Sequence, residues 1–166
     1  MLRCLEYTAF LWKAKGRHGT HSPFAFWLLD TVAKKTQAFN NIEFDNVSCY
    51  KTSVFLCKLH QSLPDYQFHT TLRAASQDAL NIGHPQPAIH LISNKDLSEL
   101  ARFVVQHEIH PDSIFFILNH RHRANNIYWQ QFIAHPSFHF TADCHYFGML
   151  SLRPGQAKQH FYLKIN

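Results

Sequence analysis

The sequence predicts an α/β domain: a mostly parallel sheet flanked by helices, entered through a helical lead-in and closed by antiparallel strands. Three observations carry that expectation. Two short runs, Ala88–Ser93 (AIHLIS) and Ser113–Leu118 (SIFFIL), are apolar nearly throughout, as strands covered on both faces are. Helical periodicity separates the two runs and follows the second, so strand and helix alternate, an order that implies right-handed crossovers and parallel pairing. The chain has 166 residues, 46% of them hydrophobic and 16% charged, with 15 phenylalanines. That is enough for one domain with a substantial core.

Taken in order, the first helix runs from about Leu2 to Lys13 with Leu5, Ala9 and Trp12 on one face. Gly16 ends it, because glycine takes the left-handed conformation that helix C-termini favour. Ser22-Pro23 then starts a second helix: the hydroxyl accepts from an otherwise unpaired N–H, and proline fits the first helical position. Phe24, Trp27, Leu28, Thr31 and Val32 give that helix its apolar spacing. Gln37–Asn46 reads as a polar connection, and a third helix follows over about Val47–Ser62, closed by Pro64. A short strand is expected near Gln67–Thr71 and a helical turn near Ala74–Leu80, before GHPQP forces a loop. After Ala88–Ser93, Leu97, Leu100, Ala101 and Val104 mark an amphipathic helix; Asn125–Ala134, with Tyr128, Trp129, Phe132 and Ile133, marks another. Phe138–Ala142, Tyr146–Arg153 and Gln159–Ile165 read as strands, with a turn at Pro154-Gly155. Their connections are too short for crossovers, so antiparallel pairing is expected. The whole chain, 1–166, reads as a single domain with residues 1–64 as the lead-in and 65–166 as the core.

Composition narrows the function classes. MLRCLEYTAFLWKAKG is read as an amphipathic helix and not a secretory leader, since Glu6 interrupts it, lysines end it and it lacks a small-residue cleavage site. No run reaches the roughly 18 apolar residues a membrane span needs. Cys4, Cys49, Cys57 and Cys144 form no C-x-x-C pair, so free thiols and a cytoplasmic location are expected. The net charge of +5 is dispersed over small clusters (Lys13, Lys15 and Arg17; Lys34 and Lys35; Arg121 and Arg123), which reads as solvated surface more than as a nucleic-acid face.

Two stretches carry a resemblance. Lys13–Asp30 (KAKGRHGTHSPFAFWLLD) resembles the lead-in of bacterial class I S-adenosylmethionine-dependent methyltransferase-like proteins, and HGTHSPF is its most specific piece. From about Pro87 the order of a strand, a helix, PDSIFFIL, a helix ending IAHPSF and the hairpin FTADCHYFGMLSLR is similar to the closing part of the same proteins. The resemblance implies a Rossmann-like core. It also implies a glycine-rich turn after the first core strand and an acidic residue after the second, and this sequence departs from both. Gly83 is the only glycine between Val54 and Pro87, and the strands AIHLI and SIFFIL lead into Ser93-Asn94 and Asn119-His120. A strand–helix–strand unit takes about 30 residues, so Pro64–Pro87 holds at most a partial one. The expectation is a truncated methyltransferase-like core without S-adenosylmethionine, without a catalytic site and without a metal.

The remaining chemistry is sparse. There is no G-x-S-x-G elbow, no P-loop and no H-E-x-x-H pair. In HGTHSPF, His18, His21 and Ser22 offer either a helix cap or an anion site at a helix N-terminus. Asn119, His120 and His122 follow a strand's carboxyl end, where open α/β sheets place their ligands. These six residues are the candidate ligand site. The function expected is a binding or assembly module that has lost catalysis and pairs with itself to cover an exposed sheet edge. The alternatives are a working methyltransferase with an unorthodox site and a metal- or anion-binding protein.

Overall fold

The two apolar runs become neighbouring parallel strands in the middle of a six-stranded sheet. The computed structural model describes residues 2–15, 22–34, 49–75, 85–154 and 157–165. Three helices, α1 (Leu2–Lys13), α2 (Pro23–Lys34) and α3 (Tyr50–Ser62), precede β1 (Gln67–His69). There follow β2 (Ala88–Ile92), α4 (Leu97–Gln106), β3 (Ile114–Leu118), α5 (Arg123–Ala134), β4 (Phe140–Asp143), β5 (Phe147–Ser151) and β6 (Gln159–Tyr162). A short helical turn covers 72–75.

The strands lie in the order β1-β2-β3-β5-β4-β6. β1, β2 and β3 are parallel; β5 runs antiparallel to both of its neighbours, β3 and β4; β6 runs parallel to β4. The expectation of antiparallel closing strands therefore holds for β5 and fails for β6. β5 and β6 run in opposite directions, but β4 stands between them, so β6 lands beyond β4. Stepping past one strand covers about 10 Å, well within reach of the seven residues 152–158 at about 3.3 Å each.

Strands β2, β3, β4 and β5 are buried along their whole length because helices cover both faces. The period of two divides their side chains. Ile89, Leu91, Ile114, Phe116, Phe147 and Met149 pack with Phe24, Leu28, Phe55 and Leu56 of α2 and α3. Ile92, Phe115, Ile117 and Leu150 pack with Leu97, Leu100 and Phe103 of α4 and Trp129 and Phe132 of α5. Trp129 lies so close over β5 that a Cβ on Gly148 would sit 2.5 Å from its ring, so this strand position has to be glycine.

The apolar spacing of α2 is borne out, with Phe24, Leu28 and Val32 buried. That of α1 is not: Trp12 is 93% exposed and Ala9 is exposed, while Phe10 is buried. Tyr7 and Phe10 pack against His145, and Phe10 also meets Tyr162, near the strand ends, so α1 seats two aromatic rings there where an apolar stripe was expected. Cys49, Cys57 and Cys144 form no disulfide, and the Cys4 side chain lies outside the described ones. Among the described residues no helix is long and apolar enough to cross a membrane. Gly16, Gln37–Asn46, the start of the third helix at Val47, Gly83 and Gly155 lie outside the described residues, as does the helical turn beyond 75.

Candidate functional site

The carboxyl ends of β3 and β4 converge on one buried carboxylate. β3 runs out into Asn119, whose φ of 52° turns the chain sharply, followed by His120, Arg121 and the exposed His122 ahead of α5. β4 ends on Asp143, 5% exposed. Arg121 donates to it through both arms of its fork, Nε to Oδ1 at 3.3 Å and Nη2 to Oδ2 at 2.8 Å. The backbone N–H of His145 donates to Oδ1 at 2.8 Å, and this local bond supports the positive φ of 67° at His145. His120, fully buried, places Nε2 3.1 Å from the same Oδ1, close enough for charge attraction although the ring is not aligned for a full hydrogen bond.

These partners set the electrostatics. Burial pushes the Asp143 carboxyl up, but the His120 imidazole, the Arg121 guanidinium and the His145 N–H outweigh it and hold the group well below the usual carboxylate range. The His145 imidazole is pushed down by burial and by the Arg121 charge, with Asp143 opposing. Burial lowers His160 in the same way, again against Asp143. Aromatic rings surround the pair: the Arg121 guanidinium carbon lies 5.0 Å over Phe10, and Trp129 meets His120 edge-on at 4.9 Å.

Two clefts open at this end of the sheet. One, of about 400 Å³, runs between α1, α5 and β6 and is lined by Glu6, Lys13, Arg121, Trp129, His160 and Tyr162. The other, of about 380 Å³, lies over the ends of β2 and β3 and is lined by Thr71, Ser93, Asn94, Asp96 and Asn119. Polar groups of the second cleft are already engaged: Ser93 Oγ donates to Asp96 Oδ2 at 2.8 Å, and Asn125 Nδ2 donates to Asn94 Oδ1 at 2.7 Å and to the Asn119 carbonyl at 3.1 Å.

The predicted site residues that are described lie at different ends of the sheet. His120 is buried beside Asp143, whereas His122 is exposed and makes no side-chain cap to α5. Ser22 is a helix cap, its buried Oγ accepting the Ala25 N–H at 3.3 Å. The helix it caps begins at the opposite end of the sheet. There Phe24 lies under Arg153, which pairs with Asp112 just ahead of β3. Ser22 and Asn119 are therefore not brought together. His18 and His21 lie outside the described residues. Among the described residues no three His, Cys, Asp or Glu side chains are arranged to hold a metal ion.

Sequence reasoning missed Asp143 and its pairing with Arg121. The signal was present: an acidic residue at a strand's carboxyl end was sought after AIHLI and SIFFIL, and it stands instead after FTA. The chain matches no protein-family model, no curated protein and no solved structure.

Proposed function

We propose that this chain is a binding and assembly module, without catalysis, built on a shortened methyltransferase-like α/β core. The turn after β1 carries the proposal. In the fold the resemblance implies, a glycine-rich turn at this point lets the backbone approach a cofactor. Here the chain runs Thr70-Thr71-Leu72. Thr71 Oγ1 accepts the Ala74 N–H at 3.1 Å, and Leu72 and Ala75 bury themselves in the core beside Ile92 and Leu97. Side chains thus fill the place where the backbone would have to be bare.

Two further observations support the reading. β1 pairs directly with β2 although only residues 70–87 separate them, too few for the strands and helices of a complete cofactor half. β2, α4, β3, α5 and the β4–β5 hairpin follow in the order of the family's closing half. The chemistry at the strand ends also favours binding over catalysis. Asp143 lines the first cleft but already accepts three bonds from Arg121 and the His145 N–H, which hold it as a carboxylate, and His120 is shut off from solvent.

β1, three residues long, is an edge strand of the sheet among the described residues, and we assign its outer edge to a second copy of the chain. Light scattering at micromolar concentration is expected to give a mass near twice 19.4 kDa; a mass of 19.4 kDa removes the assembly part of the proposal. A thermal-shift series with S-adenosylmethionine and S-adenosylhomocysteine tests the other part. An unchanged melting temperature is expected, and a dose-dependent rise would restore the reading of a working methyltransferase.

A further inference from the structure

A second buried cluster joins the edge strand β1 to β2 and takes no part in the chemistry at the carboxyl ends of β3 and β4. The register pairs His69 of the edge strand β1 with His90 of β2. Their rings stack with centroids 5.1 Å apart and 22° between planes. On its other side His90 lies flat on Phe115, at 4.6 Å and 13°, and Phe103 of α4 meets it edge-on. Both histidines are 5% exposed, and neither ring nitrogen of His90 has a hydrogen-bond partner among the described residues. A buried polar group in that state is a standing cost, which argues for a role beyond packing. A cavity of about 40 Å³ adjoins the pair and is lined also by His107, Glu108 and His110.

We propose that His90 is a proton-operated latch: neutral, its ring stacks on His69 and holds β1 against β2, and protonated, it drives the edge strand off the sheet. Among the described residues, the groups facing His90 set the direction. β3 presents only the Phe115 ring; α4 presents Phe103 and, at its end, His107; the following turn presents Glu108 and His110; residues 85–88 present Gln86. Glu108 is the single carboxylate among the described residues lining the cavity, and it is exposed, so water screens its attraction for a buried cation. The site therefore favours a neutral His90 ring, and burial together with the neighbouring His69 pushes it down to about 3. Detaching β1 returns the imidazole to water, where it takes up a proton at about pH 6.5. Only three residues of β1 hold the edge, so the opening is local and need not unfold β3 or β5.

Amide hydrogen exchange on the whole chain, corrected for the intrinsic pH dependence of exchange, tests this between pH 7.5 and 4.5. The expected result is that opening of residues 67–69 and 88–90 rises about tenfold for each pH unit below about 6.5, while 114–118 keep their protection. His90→Phe, which keeps the aromatic stack and cannot take up a proton, should abolish the rise. Protection of 67–69 that is independent of pH would overturn the proposal, as would an equal loss in β3 and β5, or a rise that survives in His90→Phe. Should His90→Phe not fold, His90→Leu takes its place, and the wild-type comparison of β1 with β3 still decides the question.

Discussion

Replacing Asp143 with asparagine tests the reading of the strand ends most sharply. The carboxylate accepts two bonds from Arg121 and one from the His145 N–H, with His120 close by, and its side chain is only 8% exposed. Asparagine keeps one acceptor oxygen but loses the charge, so the guanidinium and the His120 imidazole lose their anion. Breaking a fully buried pair costs about 3–5 kcal/mol. The Arg121 side chain is 29% exposed and recovers some hydration, which lowers the expected loss to about 2–4 kcal/mol. Urea denaturation at pH 7 measures this directly, and the melting temperature should fall by roughly 5–15 °C. The pH dependence supplies a signature that a packing defect lacks. A carboxyl held down in the folded state stabilises fully above its unfolded value near 4, and that stability is lost as pH falls toward its lower folded value. The gap between wild type and Asp143→Asn should therefore stay constant above about pH 5 and narrow below about pH 4. A loss under about 0.5 kcal/mol, or a gap equally wide at pH 7 and pH 3, would refute the reasoning.

Three further outcomes follow from the packing. Gly148→Ala places a Cβ 2.5 Å from the Trp129 ring and should cost about 1–3 kcal/mol, with a shift in tryptophan fluorescence as the indole moves; unchanged stability and emission would contradict the contact. Ser22→Ala removes the cap of α2 and should cost on the order of 1 kcal/mol by chemical denaturation, whereas no loss would deny that role. His90, lowered to about 3, should take up its proton only when β1 detaches or the chain unfolds, so the wild-type protein should lose about 2–3 kcal/mol of stability against unfolding between pH 6.5 and pH 4.5 that His90→Phe does not lose. Equal pH profiles for the two proteins would contradict the burial of a neutral ring.

Much of the fold was legible because local signals agreed with tertiary burial. Ser22-Pro23 starts α2 as expected, since capping and the proline ring act within one turn. AIHLI and SIFFIL form strands because only a sheet covered on both faces accommodates such runs. What sequence alone hides is set at longer range. Trp12 falls on the apparent apolar stripe of α1, yet it is exposed, because what α1 packs against is a pair of aromatic residues from elements far along the chain. The parallel placement of β6 depends on β5 occupying the gap between β3 and β4, which no local pattern records. In the candidate site, His120 stands between Asn119 and Arg121, but its approach to Asp143 leaves no local signal in the sequence. The Arg121–Asp143 pair joins residues 22 positions apart, and neither looks unusual alone. His69 and His90 were equally silent, since what distinguishes them is a shared register across two strands.

We propose that the turn after β1 serves packing and not cofactor binding. Isothermal titration of the full chain with S-adenosylmethionine and with S-adenosylhomocysteine tests it most directly. With Thr70, Thr71 and Leu72 in place of a bare glycine turn, and Leu72 and Ala75 in the core, no saturable heat is expected up to roughly millimolar ligand. One-to-one binding of either ligand with a dissociation constant in the micromolar range would contradict the account.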